Sequence, residues 1–137
     1  MEEQQRGTPR NIKVGNARVI KIGRQYEELG YKVIFCTGNH EGPDLVIVST
    51  ADATIRKVIE CTNYNNPKQL IPSDHFDRYM GTLGYWENMG IELELIVSYM
   101  SNVTAYQLSE CQRLRIKVTA VGPQDQPEDE NVEGWVE

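Results

Sequence analysis

Cysteine pairs, long apolar runs and nucleotide-binding motifs are absent from this chain of 137 residues, and each absence excludes a class of protein. No apolar stretch approaches the roughly 20 residues that a membrane-spanning helix needs. The three cysteines are widely spaced without a C-x-x-C pair, which predicts buried thiols and argues against a disulfide framework or a zinc site. No P-loop, G-x-G-x-x-G motif or Ser/His/Asp order is present, which disfavours nucleotide-binding enzymes and serine hydrolases. The first residues are polar and charged, unlike a secretory signal, so we expect a cytoplasmic protein.

The formal net charge of −6 is unevenly distributed along the chain. The segment after Gly122 contains six acidic residues and no basic ones, and residues 1–9 carry a net charge of −1; subtracting both leaves about +1 for residues 10–121. A near-neutral body with local basic patches can bind phosphates, whereas a strongly acidic one rarely does. The acidic tail is predicted to be a disordered solubilising segment. A partner-docking tail anchored by Trp135 and an internal phosphate mimic over a basic groove are the alternatives.

Hydrophobic spacing and turn residues predict the order helix, strand, strand, strand, helix, strand, helix, strand. Asn16 is the predicted N-cap of the first helix and Gly30 its end. A hairpin followed by helical crossovers indicates an α/β fold with a central mixed β-sheet flanked by helices. The predicted domain covers residues 15–122, between a polar arm (1–14) and the acidic tail (123–137). The remaining elements are predicted at 31–37, 44–50 and 53–62 (strands), 73–84 (helix), 91–100 (strand), 102–114 (helix) and 115–122 (strand).

Two carboxylates lie next to apolar strands in this scheme. Asp44 begins the second strand, in "PDLVIVST", and Glu60 ends the third, in "KVIECT". In an antiparallel hairpin the start of one strand lies beside the end of the next, so the two side chains are expected to meet at one rim of the sheet. Two carboxylates in contact repel unless a cation or a proton lies between them. Oxygen ligands suit Mg²⁺ and Mn²⁺, and the backbone carbonyl of Cys61 is placed to add a third ligand.

This arrangement resembles the PD-(D/E)xK nuclease superfamily, whose fold is called restriction-endonuclease-like. The resemblance runs from about Gly15 to Tyr99: a helix closed by Gly30-Tyr31, a strand, "PD" opening a second strand and "IEC" closing a third. The archaeal Holliday-junction resolvases are the nearest branch. The resemblance implies that Asp44 and Glu60 bind a divalent metal, Mg²⁺ or Mn²⁺, and that the protein cleaves DNA, including branched DNA, or RNA.

The chain departs from the superfamily pattern at the lysine of the E-x-K element. That position holds Thr62, which is neutral, and Lys57 is expected on the opposite face of the strand because side chains alternate. A lysine from the next element, Lys68, is the candidate replacement, with Gln69 beside it to orient phosphate or water. Thr62 or Lys68 would contact the water or the phosphate. The first helix carries Val19 where resolvase-like members place a glutamate.

Basic residues on the first helix are the candidate contacts to the nucleic-acid backbone. Arg18, Lys21 and Arg24 are predicted to share its exposed side, and a solvated helix face is the alternative. His40, in the loop before the second strand, could contact the metal or the scissile phosphate. We therefore expect a divalent-metal-dependent nuclease acting on DNA as a homodimer. The alternative is a catalytically inactive nuclease-fold protein that binds nucleic acid or serves as an assembly subunit.

Overall fold

A five-stranded mixed β-sheet with strands in sequential order forms the centre of the computed structural model, which describes residues 10–36 and 42–123. Strands β1, β2 and β3 form an antiparallel meander, whereas β4 and β5 run parallel to β3. The predicted α/β class and element order are confirmed. The elements are α1 Arg10–Glu28, β1 Lys32–Phe35, β2 Leu45–Val48, β3 Ile55–Cys61, α2 Ser73–Gly84, β4 Glu92–Val97, a 3-10 turn Met100–Asn102, α3 Ala105–Arg113 and β5 Ile116–Ala120.

Helices cover both faces of the sheet, and each face has its own apolar core. Helix α1 packs on one face, where its Val19 joins Leu45, Ile47 and Ile59. Helices α2 and α3 cover the other face, as right-handed crossovers between parallel strands require. The second core contains residues of β3, β4, β5 and both helices: Val58, Ile71, Phe76, Leu83, Leu93, Leu95, Val97, Cys111 and Ile116. Because side chains alternate along a strand, adjacent residues of β3 belong to different cores.

Helix α1 differs from its predicted form at both ends. It begins at Arg10, six residues before the predicted N-cap Asn16. The helix ends at Glu28, and Leu29, which follows it, is 72% exposed. Gly30 adopts a φ of 98° that favours glycine, which confirms it as the terminating residue. At Gly23 a Cβ would lie 2.3 Å from a ring carbon of Phe35, so this glycine permits the close approach of α1 to β1.

The later helices agree more closely with the sequence. Helix α2 has the predicted bounds, although its N-cap is Pro72, without a side-chain cap, and not Ser73. Thr104 caps α3 by accepting a hydrogen bond from the backbone N–H of Gln107, and the backbone N–H of Thr104 donates to the side-chain oxygen of Gln107. All three cysteines are free thiols; Cys111 is buried and the other two are half-buried. Over the described ranges, no helix has the length and apolar character needed to span a membrane.

Candidate active site

Asp44 and Glu60 lie opposite each other at the rim of the β2–β3 hairpin. The register pairs Leu45 with Ile59, so the next residues outward are Asp44 and Glu60. The backbone N–H of Asp44 donates to the carbonyl of Ile59 at 3.0 Å, which extends the ladder to this point. Both side chains therefore point to the face that carries α2, as Val58 does. The sequence-based expectation that the two carboxylates converge agrees with this geometry.

The backbone of Cys61 holds the Asp44 carboxylate in place. Its N–H donates to Asp44 Oδ2 at 2.7 Å. The N–H and C=O of one strand residue point to the same side of the strand, so the Cys61 carbonyl also faces the Asp44 side. Two carboxylates and one backbone carbonyl thus converge on the same rim.

Burial and mutual repulsion dominate the electrostatics of this pair. Glu60 is only 7% exposed. Burial raises the pKa of Glu60 far above its usual range, and the charge of Asp44 and a side-chain hydrogen bond with Asp44 raise that pKa further. The positive charge of Arg78, from α2, opposes this rise. Without a cation from outside, the Glu60 carboxyl therefore stays protonated at neutral pH.

The donor set of the rim fits a hard divalent cation better than zinc. Across residues 10–36 and 42–123, no group of three or more His, Cys, Asp or Glu side chains could hold a metal ion. A pair of carboxylates with a carbonyl is nevertheless a sufficient protein contribution for Mg²⁺, which usually retains several waters and binds through one or two carboxylates. The role of Asp44, Glu60 and Cys61 as ligands stays a prediction.

Thr62, which the resemblance placed at the lysine position of the E-x-K element, is buried, and its predicted contact with water or phosphate is wrong. Its side chain is 2% exposed, and its hydroxyl donates to the carbonyl of Ile96 at 3.0 Å. The backbone N–H of Thr62 donates to the same carbonyl at 2.9 Å. Thr62 thus joins the ends of β3 and β4 and leaves the position without an accessible polar group.

Arg18 is buried and is not on the exposed side of α1 as predicted. It is 6% exposed, and its guanidinium donates to the Thr62 carbonyl at 2.8 Å, to the Ser98 hydroxyl at 3.1 Å and to the Gly122 carbonyl at 3.0 Å. It thereby connects α1 to the chain segments that follow β3, β4 and β5. These contacts correct its assignment as a phosphate-binding residue.

Lys21 and Arg24 are exposed, as predicted for that side of α1. Lys21 lines an open groove of about 310 Å³ together with Ile22, Gln25 and Pro123. Arg24 forms a 2.9 Å ion pair with Glu27 and lies over the ring of Phe35 at 5.5 Å. Their contact with nucleic acid stays a prediction. His40 lies outside the described residues.

Lys57 lies on the face opposite the carboxylate pair, as alternation along the strand predicted. Its Nζ contacts Glu94 Oε1 at 2.6 Å and donates to the Tyr26 hydroxyl at 2.8 Å, both on the α1 side of the sheet. Burial alone would lower the pKa of Lys57, but the hydrogen bonds with Glu94 and Tyr26 outweigh burial and raise it. Lys57 therefore cannot replace the missing lysine.

Lys68 and Gln69 are exposed in a segment that is anchored near the end of β4. The buried side chain of Asn102 donates to the carbonyls of Asn66 and Gln69 at 3.0 and 2.8 Å. The Ser101 hydroxyl donates to the carbonyl of Pro67 at 2.6 Å. These bonds fix the backbone around Lys68, whose part in the site stays a prediction.

A contact of His75, on α2, was not predicted from the sequence. The Tyr64 hydroxyl lies 2.5 Å from His75 Nδ1, and the two rings are stacked with their centroids 6.3 Å apart. His75 is half-buried at this contact. Tyr79 and Trp86 pack against the core, whereas Tyr85 is 69% exposed. The only sequence signal is the four-residue spacing of positions 75 and 79, which places both on one helix face.

Comparisons with known proteins give one weak similarity. No protein-family model matches the chain, and no curated protein matches it. Among solved structures, the chain is similar to the crystal structure of a repair endonuclease from Pyrococcus abyssi, with 16% sequence identity and a TM-score of 0.48. The matched region covers 81% of this chain and 47% of that one, so the chain spans about half the length of the archaeal protein. A similarity of this size assigns neither family nor activity.

Proposed function

We propose that the chain is a divalent-metal-dependent nuclease that hydrolyses phosphodiester bonds in DNA. The observation that carries the proposal is the contact between Asp44 and Glu60 at a buried strand rim, with the Cys61 carbonyl on the same side. Nothing in the hairpin itself requires two acids at this point, and burying them together is costly. A binding site for Mg²⁺ or Mn²⁺ explains both their presence and their proximity.

Each protein group has a distinct part in this proposal. A bound divalent ion would orient and acidify water and neutralise charge on the phosphodiester. Asp44 is kept in one orientation by the Cys61 N–H. Glu60 is held against it and is shielded from bulk water. Lys68 and Gln69 are the proposed contacts to water or phosphate, since Thr62 is closed off by Ile96.

The proposal extends beyond the carboxylate pair to three further residues. Lys21, Arg24 and His40 would contact the DNA backbone, which attracts cations regardless of sequence. In this proposal the protein is a cytoplasmic homodimer. Branched DNA and RNA are its further proposed substrates.

Cleavage assays test the proposal directly. Purified protein is incubated with supercoiled, linear and branched DNA in Mg²⁺ or Mn²⁺, beside Glu60→Ala and Asp44→Asn. We expect cleavage by the wild type and a loss of at least about 100-fold in each variant, because a catalytic metal contributes several kcal/mol to the barrier. Glu87→Gln, an exposed acid in the turn after α2, is the matched control and should cleave like the wild type. Equal cleavage by Glu60→Ala and the wild type would rule out this site.

A nucleic-acid-binding protein without catalysis is the second candidate. The buried hydroxyl of Thr62 favours it, since the lysine position of the motif holds a structural residue. This candidate predicts salt-sensitive DNA binding without cleavage in any divalent metal. Glu60→Ala would then bind DNA as well as the wild type does.

A further inference from the structure

Helix α2 places its first half over the end of β3 that carries Glu60. It connects β3 to the parallel strand β4 and must therefore run back against both strands. Its buried residues Phe76 and Leu83 pack on the same face of the sheet as Val58, two residues before Glu60. Residues 75–79 are thus the part of α2 closest to the carboxylate rim.

Tyr79 fixes this part of the helix. Its ring packs against the core of the α2 face, and one turn before it His75 Nδ1 lies 2.5 Å from the Tyr64 hydroxyl. This contact joins the helix to the segment that directly follows β3. Burial raises the pKa of Tyr79 well above its usual range, so its hydroxyl keeps its proton.

Arg78 stands beside Tyr79 and donates no hydrogen bond to any residue in the described ranges. Its guanidinium carbon lies 5.9 Å from the Tyr79 ring centroid, and the residue is exposed. Arg24, Arg56 and Arg113 each pair with a carboxylate, at 2.9, 3.5 and 2.7 Å respectively. Arg78 forms no such ion pair with any residue in the described ranges. A planar guanidinium held over an aromatic ring is suited to bidentate binding of an anion.

Arg78 is the only arginine or lysine of α2, the helix whose first half covers the Glu60 end of β3. Asp74 and Asp77, on the same helix, are exposed acids. An anion binding here would therefore be held by the directed donors of one arginine, since the helix as a whole presents no basic surface.

We propose that Arg78 binds a phosphate group of the nucleic-acid backbone next to the carboxylate rim and supplies the positive charge that neither Thr62 nor Lys57 provides. The identity of the ligand rests on the proposed function. The position of the cation rests on α2, Tyr79 and the unpaired guanidinium. Arg78 is thereby a substrate-binding residue that lies on α2, the helix after β3, and not on β3 itself.

Binding measurements in a non-cleaving background separate this inference from catalysis. Glu60→Gln is the parent protein, and Arg78→Gln, Arg78→Lys and Arg113→Gln are added to it. Fluorescence anisotropy of a labelled DNA duplex is recorded between 50 and 200 mM salt, concentrations over which phosphate contacts change affinity strongly. Unfolding curves check that each variant is folded; an exposed arginine should change stability by less than about 0.5 kcal/mol.

Arg78→Gln should weaken binding roughly tenfold, because it removes hydrogen bonds from a charged donor. It should also reduce the slope of log affinity against log salt by about 0.9, the effect of one phosphate contact on duplex DNA. Arg78→Lys should keep the slope, because the charge remains, and lose part of the affinity. Arg113→Gln, which removes an exposed arginine on α3, should change neither.

The outcomes distinguish the two proposals. An unchanged affinity and slope in Arg78→Gln, in a parent that binds DNA, overturns the inference and leaves the nuclease proposal standing. A reduced slope in Arg78→Gln, with no cleavage by wild-type protein, supports the inference and favours the non-catalytic function. A parent that does not bind DNA at any salt concentration overturns the inference together with both proposed functions.

Discussion

Two buried glutamates of neighbouring strands, Glu94 and Glu60, have opposite kinds of partner. Glu94 is 5% exposed and Glu60 is 7% exposed, so both are removed from water to a similar degree. Glu94 contacts Lys57 Nζ at 2.6 Å and accepts a hydrogen bond from the Thr119 hydroxyl at 2.5 Å. Glu60 instead faces another carboxylate, that of Asp44.

The difference shows that the charge of Glu94 is balanced by a cation of the chain, whereas Glu60 is buried beside a second acid. Charge and hydrogen bonds at the Glu94 cluster are satisfied within the chain, so its ion pair belongs to the folded structure. The Glu60 rim is satisfied within the chain only if it retains a proton. Under the proposed function, a divalent cation would take the place of this proton. Changes at the two places should therefore have opposite consequences.

Lys57→Met should produce the largest loss of stability. It leaves Glu94 buried without its cation, and breaking a buried pair from one side costs about 3–5 kcal/mol. Urea unfolding at pH 7 measures the change in the free energy of unfolding. Metal binding and DNA cleavage by the folded fraction should be unchanged, because Lys57 lies on the other face of the sheet from Glu60.

A double variant tests whether the loss comes from the stranded charge. Lys57→Met with Glu94→Leu replaces the pair by apolar groups, and such replacements are often neutral or stabilising. Most of the lost stability should return. If the double variant is as unstable as Lys57→Met, the defect comes from lost packing against Tyr26 and not from unpaired charge at Glu94.

The carboxylate rim could be predicted from the sequence because it depends on local rules. Alternation along β3 separates Lys57 from Glu60, and hairpin geometry brings the start of β2 to the end of β3. Neither step needs knowledge of the other helices. The element order followed for the same reason, since Gly30 and the apolar runs give clear boundaries.

Arg18 could not be placed correctly from the pattern of its own helix. A charged residue is assigned to the solvent side by default, and Arg18 has basic neighbours at positions 21 and 24. It is buried because three acceptors from the ends of β3, β4 and β5 converge on it: the Thr62 carbonyl, the Ser98 hydroxyl and the Gly122 carbonyl. These groups are 44 to 104 residues away in the sequence. Only the tertiary structure brings them together.

The contribution of α2 was missed for a related reason. The spacing of His75 and Tyr79 predicts that both residues lie on one face of a helix. It does not predict which end of which strand that face covers. That position follows from the direction of the crossover between β3 and β4, which are parallel. The sequence therefore predicted Lys68, the next lysine along the chain, as the cation of the site. It gave no signal for Arg78.

The pH dependence of stability should reveal the proton at the rim. The pKa of Glu60 is raised in the folded protein, so above the ordinary glutamate value the folded state holds a proton that the unfolded state has released. Stability from this group is thus present at low pH and is lost as pH rises. In metal-free protein the free energy of unfolding should fall by up to roughly 1.4 kcal/mol per pH unit, or about 2–3 kcal/mol between pH 5 and 7.

Glu60→Gln should remove that slope, because an amide can donate to Asp44 without titrating. Urea unfolding of both proteins at several pH values, in EDTA, gives the comparison. Glu87→Gln should follow the wild-type curve, since that glutamate is exposed. Parallel curves for Glu60→Gln and the wild type would mean that the rim holds no proton.

Added Mg²⁺ should give the smallest effect of the series. At ten times its dissociation constant, a ligand that binds only the folded state raises the free energy of unfolding by about 1.4 kcal/mol. The gain should be larger at pH 8 than at pH 6, because the ion and the proton of Glu60 compete for the same oxygens. Lys57→Met should retain this gain in full, whereas Glu60→Gln should lose it. An equal gain in Glu60→Gln would place the ion elsewhere, and the two carboxyls would then be a buried acid pair stabilised by their proton alone.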